Sequence, residues 1–340
     1  MSNRRQSFNS RREFLGGLTL AGAGLLSWQP ESVDAEPPSE TARVRLAQHA
    51  DVCAATPLIV ANDFLLAEGF SDLEYVKVSS GPDGFAAVAA GAADITIAAV
   101  YALIPRIEAG DPILILGGIH TGCFELFGSD RVRSVLDFKG KKIAVTKLGS
   151  GRHLLMASIV ANVGLDHRKD IDWVEGSAAE SMRRFVEGKI DGFLAFPPEP
   201  QELRAKRLGR VIVNTGIDRP WSQYFCCMAV ANKEFVRRHP VATKRALRAI
   251  LKATSLCAAE PDRAVRLRAD RGYADPSGYG LQSIKELTYA KWREFDAADT
   301  VRFISLRLNE VGFIKSSPQR IISQGTDLRF LNELKKELKA

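Results

Sequence analysis

Residues 137–150, DFKGKKIAVTKLGS, begin the second copy of a pattern that the chain has already completed once. The apolar stretch 142–146 is typical of a buried strand, and Ser150 is a helix N-cap residue that precedes an apolar helical stretch. The same order occurs upstream. The stretch 89–99, AAGAADITIAA, ends in a predicted strand, and a predicted helix follows at 101–109. The two stretches together predict two similar α/β lobes in tandem.

The rest of the sequence extends this alternation. Strands are predicted at 44–47, 73–78, 94–99, 113–117, 142–146, 171–174, 190–196, 210–214 and 224–231. Helices are predicted at 56–69, 84–90, 101–109, 150–163, 177–187, 240–258, 261–270, 281–293, 299–311 and 328–338. Parallel strands need crossover helices of this size, so each lobe is predicted to hold a mainly parallel sheet with flanking helices. The last five helices form a helical C-terminal segment.

The composition excludes several classes of protein. The chain has 340 residues, of which 46% are hydrophobic and 26% charged, as in ordinary globular proteins and unlike disordered, collagenous or coiled-coil chains. The net charge of +7 is spread along the chain rather than gathered in a basic run with interleaved aromatics. Nucleic acid is therefore not an expected partner.

The N-terminal residues indicate export. Arg11 and Arg12 precede an apolar stretch, 14–26, that carries no charge and is too short to span a bilayer. Small residues follow near Ala35. We interpret 1–35 as a twin-arginine signal peptide that is cleaved after Ala35, which would place the mature protein in the periplasm.

Three segments resemble extracytoplasmic substrate-binding proteins of ABC transporters. They are AAGAADITIAA at 89–99, DFKGKKIAVTKLGS at 137–150 and GKIDGFLAFPPEP at 188–200. Within that class, residues 43–270 resemble the nitrate/taurine/aliphatic-sulfonate group, which shares its fold with thiamine-pyrimidine synthase. The resemblance implies the two-lobed, type II periplasmic binding protein fold. Two crossover segments, near 120–126 and 221–226, would join the lobes, and a hinge would let them close around a ligand.

We expect the chain to be divided accordingly. The expected boundaries are 1–35 for the signal peptide, 43–122 for the first part of lobe 1, 123–222 for lobe 2, 223–290 for the return to lobe 1, and 291–340 for C-terminal helices that pack on lobe 1. The chain would then cross between the lobes twice.

The candidate ligand-binding residues lie at the ends of predicted strands and in the crossover segments. Ligands of open α/β sheets bind beyond the carboxyl ends of the strands, where helix N-termini converge. The turn that carries Arg152 is the most like an anion-binding site, because Arg152 lies beside a glycine at a helix start and its guanidinium can bind a carboxylate or sulfonate with two parallel bonds. Phe124 and Phe225 are expected in the core. The candidates are His49, Asp51, Ser80, Tyr101, His120, Ser150, Gly151, Arg152, Glu199, Trp221 and Tyr224.

These residues favour a solute receptor that delivers its ligand to an ABC permease in the inner membrane. The first hypothesis is a small organic anion, a sulfonate or carboxylate with an apolar or aromatic body, bound by Arg152, His49 and His120. The alternative is a pyrimidine-like heteroaromatic ligand oriented by Glu199 and Asp51. A third class is an enzyme of the thiamine-pyrimidine-synthase type. We predict no catalytic residue and no cofactor, since the sequence contains no recognisable catalytic motif.

The cysteines and histidines pose a separate question. His49, Asp51 and Cys53 recur at every second residue, and His120 and Cys123 can join them from the first crossover, which gives a set of metal-competent ligands. No tight ligand motif accompanies the set, so no metal site is predicted. Whether Cys53 and Cys123 meet is left open. The vicinal pair at 226–227 lies in an apolar strand and is expected to be two buried thiols.

The export hypothesis predicts the N-terminus of the mature protein. N-terminal sequencing of the protein recovered from the periplasm should begin at Glu36, because the signal peptide is expected to end at Ala35. The twin-arginine export machinery is then a transient partner. An intact N-terminus on protein found in the cytoplasm would contradict export and would favour the biosynthetic enzyme.

Overall fold

The computed structural model describes residues 36–338, so the predicted signal peptide lies outside the described residues. Among the described residues, no helix combines the length and apolar character that a membrane crossing requires.

The strands are β1 (Arg43–Gln48), β2 (Asp72–Lys77), β3 (Ile95–Ala99), β4 (Ile113–Thr121), β5 (Glu125–Gly128), β6 (Lys141–Val145), β7 (Ile171–Glu175), β8 (Gly192–Ala195), β9 (Arg210–Asn214) and β10 (Phe225–Asn232). The helices are α1 (Val52–Ala67), α2 (Gly81–Ala89), α3 (Val100–Glu108), α4 (Gly151–Asn162), α5 (Ala178–Val186), α6 (Glu199–Ala205), α7 (Lys233–Arg238), α8 (Pro240–Ala259), α9 (Pro261–Asp270), α10 (Gly280–Glu286), α11 (Ala297–Glu310), α12 (Pro318–Gly325) and α13 (Arg329–Glu337).

The strands form two five-stranded sheets of the same design. The first sheet, lobe 1, has the order β2-β1-β3-β10-β4, and the second, lobe 2, has the order β7-β6-β8-β5-β9. In each sheet one strand runs against the others: β10 is antiparallel to β3 and β4, and β5 is antiparallel to β8 and β9. The prediction of two mainly parallel sheets with flanking helices is therefore confirmed, with one reversed strand in each sheet.

The chain passes between the lobes after β4 and again after β9. At the first passage Gly122 has a φ of +24°, and a Cβ at this position would overlap the backbone of Gly216. Glycine is needed there because two chain segments approach each other without room for a side chain. The strand β10 then re-enters lobe 1 and is buried along its whole length.

The helical C-terminal segment covers lobe 1. The helix α8 packs against α1, and α13 packs against α8 and β4. A single parallel bridge joins Thr326 to Ile115 of β4. Short 3₁₀ helices occur at Val135–Phe138, Trp221–Gln223 and Tyr289–Trp292.

The start of α1 was predicted wrongly. The sequence places a helix start at Thr56 and Pro57, but α1 begins at Val52 and contains Pro57. Proline cannot donate to the carbonyl four residues earlier, which belongs to Cys53. The buried hydroxyl of Tyr289 donates to that carbonyl at 2.6 Å instead, and this contact from the distant C-terminal segment makes the proline tolerable.

Three further differences from the predicted elements concern short segments. The sequence pattern assigns β5 to the crossover and predicts no helix at α6, α7 or α12. The helix predicted at 281–293 is instead α10 followed by the 3₁₀ helix Tyr289–Trp292, whose Tyr289 and Trp292 are fully buried. Segments of four to eight residues carry too few periodic positions to stand out from loops.

Substitution of two adjacent glycines of β4, Gly117 and Gly118, tests how tightly β10 packs against β4. A Cβ on Gly118 would overlap the ring of Phe225, whereas a Cβ on Gly117 would lie 3.3 Å from the end of the Leu331 side chain. We expect Gly118→Ala to lower the free energy of unfolding by about 1–3 kcal/mol, the usual cost of overpacking a core. The matched control Gly117→Ala should cost clearly less, because a leucine tip can move. Urea denaturation measures both, and equal losses would show that Phe225 does not fill the space above Gly118.

Candidate functional site

A cavity of about 280 Å³ lies between the two lobes. Lobe 1 lines it with the loops that follow β1, β2 and β3, and lobe 2 lines it with the loops that follow β6 and β8. These are the carboxyl ends of parallel strands, where ligands of open α/β sheets are found. The walls touch directly, since a Cβ on Gly151 of lobe 2 would lie 3.3 Å from the Cβ of Ala102 of lobe 1.

Four helices begin at this cavity. The residues that precede α1, α2, α3 and α4 all line it: Asp51, Ser80, Ala99 and Ser150. Each helix start carries partial positive charge from its free backbone N–H groups. Ser80 and Ser150 cap their own helices, because their hydroxyls accept from the amides of Asp83 and His153 at 3.4 Å. The convergence gives the cavity a field that favours an anion.

Arg152 is the second residue of α4 and is held by several partners. Its Nη1 and Nη2 donate to the two carboxylate oxygens of Glu199 at 3.1 and 3.2 Å, and Nη1 also donates to the Leu194 carbonyl at 3.2 Å. The Arg152 and Glu199 side chains are only 18% and 16% exposed. The guanidinium lies 5.5 Å from the ring centroid of Phe196, whose amide donates to Glu199 at 2.9 Å.

Glu199 and Leu194 accept from the Nη1 and Nη2 end of the Arg152 guanidinium, and the edge formed by Nε and Nη2 is left for another acceptor. Arginine has five N–H donors, and three are accounted for by Glu199 and Leu194. The Nε–H and one Nη2–H have no partner among residues 36–338. That edge is a fork that fits two oxygens of a carboxylate or sulfonate.

His49 and Asp51 form a second pair of ionisable side chains. The His49 Nδ1 lies 3.1 Å from the Asp51 carboxylate, and its Nε2 lies 3.4 Å from the Ile97 carbonyl. Burial disfavours the charged imidazole, but the Asp51 carboxylate outweighs that effect and raises the pKa of His49 above its ordinary value. The His49 side chain is fully buried, whereas that of Asp51 is 36% exposed. Both residues line the cavity.

Arg268 of α9 fixes the loop that carries this pair. It is buried, and its Nη1 donates to the Asp51 carbonyl at 2.8 Å and to the Thr56 hydroxyl at 3.1 Å. Burial lowers the pKa of Arg268. Sequence reasoning missed this residue, since nothing local to α9 indicates a contact with the loop after β1.

Six of the eleven candidate residues line the cavity, and Glu199 lies behind Arg152. The six are His49, Asp51, Ser80, Ser150, Gly151 and Arg152. Their role in ligand binding remains a prediction.

The other four candidates lie elsewhere. Tyr101, Trp221 and Tyr224 line a separate space of about 20 Å³, where Tyr224 stacks on Phe303 with ring centroids 3.8 Å apart. His120 is fully buried beside cysteines and does not line the cavity.

The aromatic wall of the cavity consists of phenylalanines. Phe85, Phe124 and Phe196 line it, and Phe124, which was expected in the core, faces both the cavity and the smaller space. Position at a strand end indicates only which residues are near the cleft. Which of them faces it depends on the twist and pairing of the strands, which the sequence does not display.

Two sets of contacts hold the lobes together away from the cavity. In the first set Arg204 of α6 forms an ion pair with Glu286 of α10, to which Gln201 also donates at 2.8 Å. In the second set the His167 ring nitrogen and Arg168 lie 3.0 and 3.1 Å from the carbonyl of Val311 at the end of α11. Both sets latch lobe 2 to the C-terminal segment that covers lobe 1.

Comparison with known proteins identifies the family. The sequence pattern of the NMT1-like family matches residues 37–268, more than half of the chain. The chain belongs to the NMT1-like family. No curated protein is similar enough in sequence to this chain to count as a match.

Solved structures resemble this fold across most of the chain. The alkanesulfonate-binding protein SsuA from Xanthomonas axonopodis pv. citri, bound to MOPS, is 20% identical with a TM-score of 0.65, over 86% of this chain and 99% of that one. The periplasmic nitrate-binding protein NrtA from Synechocystis PCC 6803 is 15% identical with a TM-score of 0.72, over 89% and 90%. The desulfurization enzyme DSZB is 16% identical with a TM-score of 0.62, over 87% and 99%.

At these identities the likeness shows the fold alone. It confirms the periplasmic binding protein fold and the resemblance to the nitrate and sulfonate group that the sequence predicts. Because the same fold carries an enzyme, it does not by itself decide between binding and catalysis.

The latch between α6 and α10 yields a prediction. Glu286→Gln removes the carboxylate charge that Arg204 faces across the cleft, so we expect the lobes of the ligand-free protein to separate more often. Small-angle X-ray scattering should then give a larger radius of gyration than for the unaltered protein. The control Glu294→Gln disrupts an exposed pair with Lys291 near the same segment and should leave the radius unchanged. If both variants scatter like the parent, the pair does not hold the lobes.

Proposed function

We propose that the protein is the substrate-binding component of an ABC-type importer, and that it binds one small organic anion between its lobes. Membership of the NMT1-like family and the fold of sulfonate- and nitrate-binding proteins support the receptor role. The observation that carries the ligand class is the cavity where four helix N-termini meet a guanidinium with one open edge.

The cavity also indicates the shape of the ligand. Beyond the charged end, its walls are apolar and include the rings of Phe85, Phe124 and Phe196. Apolar walls with a few oriented polar groups are typical of small-molecule sites, and the volume suits a compact ligand. We propose a sulfonate or carboxylate head near Arg152 with an aliphatic or aromatic body against the phenylalanines.

The family and the fold carry the receptor proposal, and the ionisable pairs of the cavity do not decide against catalysis. His49 beside Asp51 is an imidazole–carboxylate pair, an arrangement that also occurs in catalytic sites. Arg152 donates to both oxygens of Glu199 and is a group that binds rather than one that moves a proton. We propose a receptor, on its membership of the NMT1-like family and its likeness in fold to sulfonate- and nitrate-binding proteins, and not an enzyme of the thiamine-pyrimidine-synthase type.

The same pairs weaken the heteroaromatic alternative. In that hypothesis Glu199 and Asp51 orient a pyrimidine-like ligand, but both oxygens of Glu199 already accept from Arg152 and one also accepts from the Phe196 amide. Asp51 alone is left to accept from such a ligand. The organic anion is the better fit.

The proposed partners follow from this role. We propose that the protein works in the periplasm, reaches it through the twin-arginine export machinery, and releases its ligand to a permease in the inner membrane. The periplasmic relatives of known structure support this location.

The anion hypothesis is tested by a thermal-shift screen followed by calorimetry. Alkanesulfonates, aromatic carboxylates and nitrate should raise the melting temperature, and the corresponding amides and sulfonamides should not. For the strongest ligand, the double variant Arg152→Ala/Glu199→Gln should bind about ten- to a hundredfold more weakly, since hydrogen bonds to charged groups contribute about 1.5–3 kcal/mol. The paired change is needed because Arg152→Ala alone would leave Glu199 buried without its partner.

The control for this experiment is Arg183→Ala. Arg183 is an exposed arginine of lobe 2 that forms an ion pair with Glu187 at the end of α5 and does not line the cavity, so its loss should leave affinity unchanged. Unaltered affinity in the double variant would contradict the role of Arg152. A response to pyrimidines alone would favour the alternative ligand within the same fold.

A further inference from the structure

Three cysteines and one histidine meet in the core beside the hinge. Cys53 lies in the first turn of α1, His120 in β4, Cys123 in the first passage between the lobes, and Cys227 in β10. One sulfur or ring nitrogen from each residue lies within 4.8 Å of all the others, and all four residues are buried. The pairing of β10 with β4 places Cys227 opposite His120.

His120 is oriented as a ligand would be. Its Nδ1 lies 3.1 Å from the Thr121 carbonyl, which can only accept, so a neutral His120 that makes this bond has its lone pair on Nε2. The side chain is fully buried, and Nε2 has no hydrogen-bond partner among the described residues. A histidine that donates one ring N–H to a backbone carbonyl and offers the other nitrogen is the usual arrangement at metal sites.

The three cysteines supply sulfur donors to the same point in the core. All three are buried, free thiols, and a metal ion bound there would displace their protons. The thiolate is the form that binds a metal. A fourth thiol, Cys226, lies with its sulfur 2.9 Å from that of Cys123.

We propose that Cys53, His120, Cys123 and Cys227 bind one zinc ion in a closed, tetrahedral site. Three thiolates and an imidazole are a known donor set for structural zinc, with Zn–S distances of about 2.3 Å. Sulfurs bound at that distance lie about 3.8 Å apart, so the ligand atoms need to approach one another by about 1 Å at most. This replaces the sequence-based expectation of no metal.

The site goes beyond the proposed transport role. The ion joins α1 and both strands that lead into and out of the passages between the lobes, and so it fixes the lobe 1 side of the hinge. Because Cys227 also lines the inter-lobe cavity, the site lies directly beneath it. Its ligands come from four segments that are distant in sequence, and for this reason no compact motif reveals it.

The test is cobalt substitution in the untagged, reduced protein. Tetrahedral cobalt bound by thiolates gives sulfur-to-cobalt charge-transfer bands, and zinc removes them by displacement. We expect one Co²⁺ per chain with these bands, and zinc bound in equal amount by elemental analysis. The double variant Cys53→Ala/Cys123→Ala should lose both signals. The matched control Cys257→Ala, which removes a buried thiol of α8 outside the cluster, should keep them.

Further measurements separate loss of the site from loss of the fold. Circular dichroism and the melting temperature in chelator should be similar for the double variant and the parent, and Cys226→Ala should retain the ion. The proposal is overturned if the folded, reduced parent shows no charge-transfer bands, or if the double variant keeps them. It is also overturned if the mass of the purified protein shows a Cys123–Cys226 disulfide and no metal. Ligand binding is not needed for any of these readouts, so failure of the transport proposal would be recognised separately.

Discussion

The pairing of β10 with β3 and β4 is the constraint on which the rest of the molecule depends. β10 enters the middle of the first sheet in the antiparallel direction and is buried from Phe225 to Asn232. A strand in the middle of a sheet must satisfy backbone groups on both of its edges. The chain can supply it only by leaving lobe 1 after β4, building lobe 2, and returning. The two passages, and hence a cleft between the lobes, follow from this single insertion.

The same strand brings the chemistry together. β10 lies between β3 and β4 in the sheet. The helix α3, which follows β3, begins at the cavity, whereas His120 at the end of β4 lies in the core and does not line the cavity. Cys226 and Cys227 arrive on β10 from the second passage and meet Cys123 from the first. The ligand cavity and the thiol cluster are therefore neighbours for a topological reason, and Cys227 belongs to both.

Local features of the fold could be predicted from the sequence, and contacts between distant segments could not. The alternation of strands and helices, the cap at Ser150, and the position of Arg152 at a helix start depend on a few consecutive residues. The start of α1 depends on the Tyr289 hydroxyl, which satisfies the carbonyl that Pro57 leaves free. Glu199 is a second example. Its position after a strand makes it a candidate ligand residue in the sequence, and its bond to Arg152 becomes visible only once β6 and β8 lie side by side.

The balance of charges in the cavity is the physical basis of the anionic ligand that we propose. Burying one charge without a partner is costly, so Arg152 is acceptable in a largely apolar wall because Glu199 accompanies it. Glu199 balances the charge of Arg152 and holds its guanidinium in a fixed orientation. The four helix starts add partial charges that are all positive towards the cavity. For the proposed ligand, a cavity built in this way would attract an anionic head without an excess of basic side chains, and its apolar walls would then select the body.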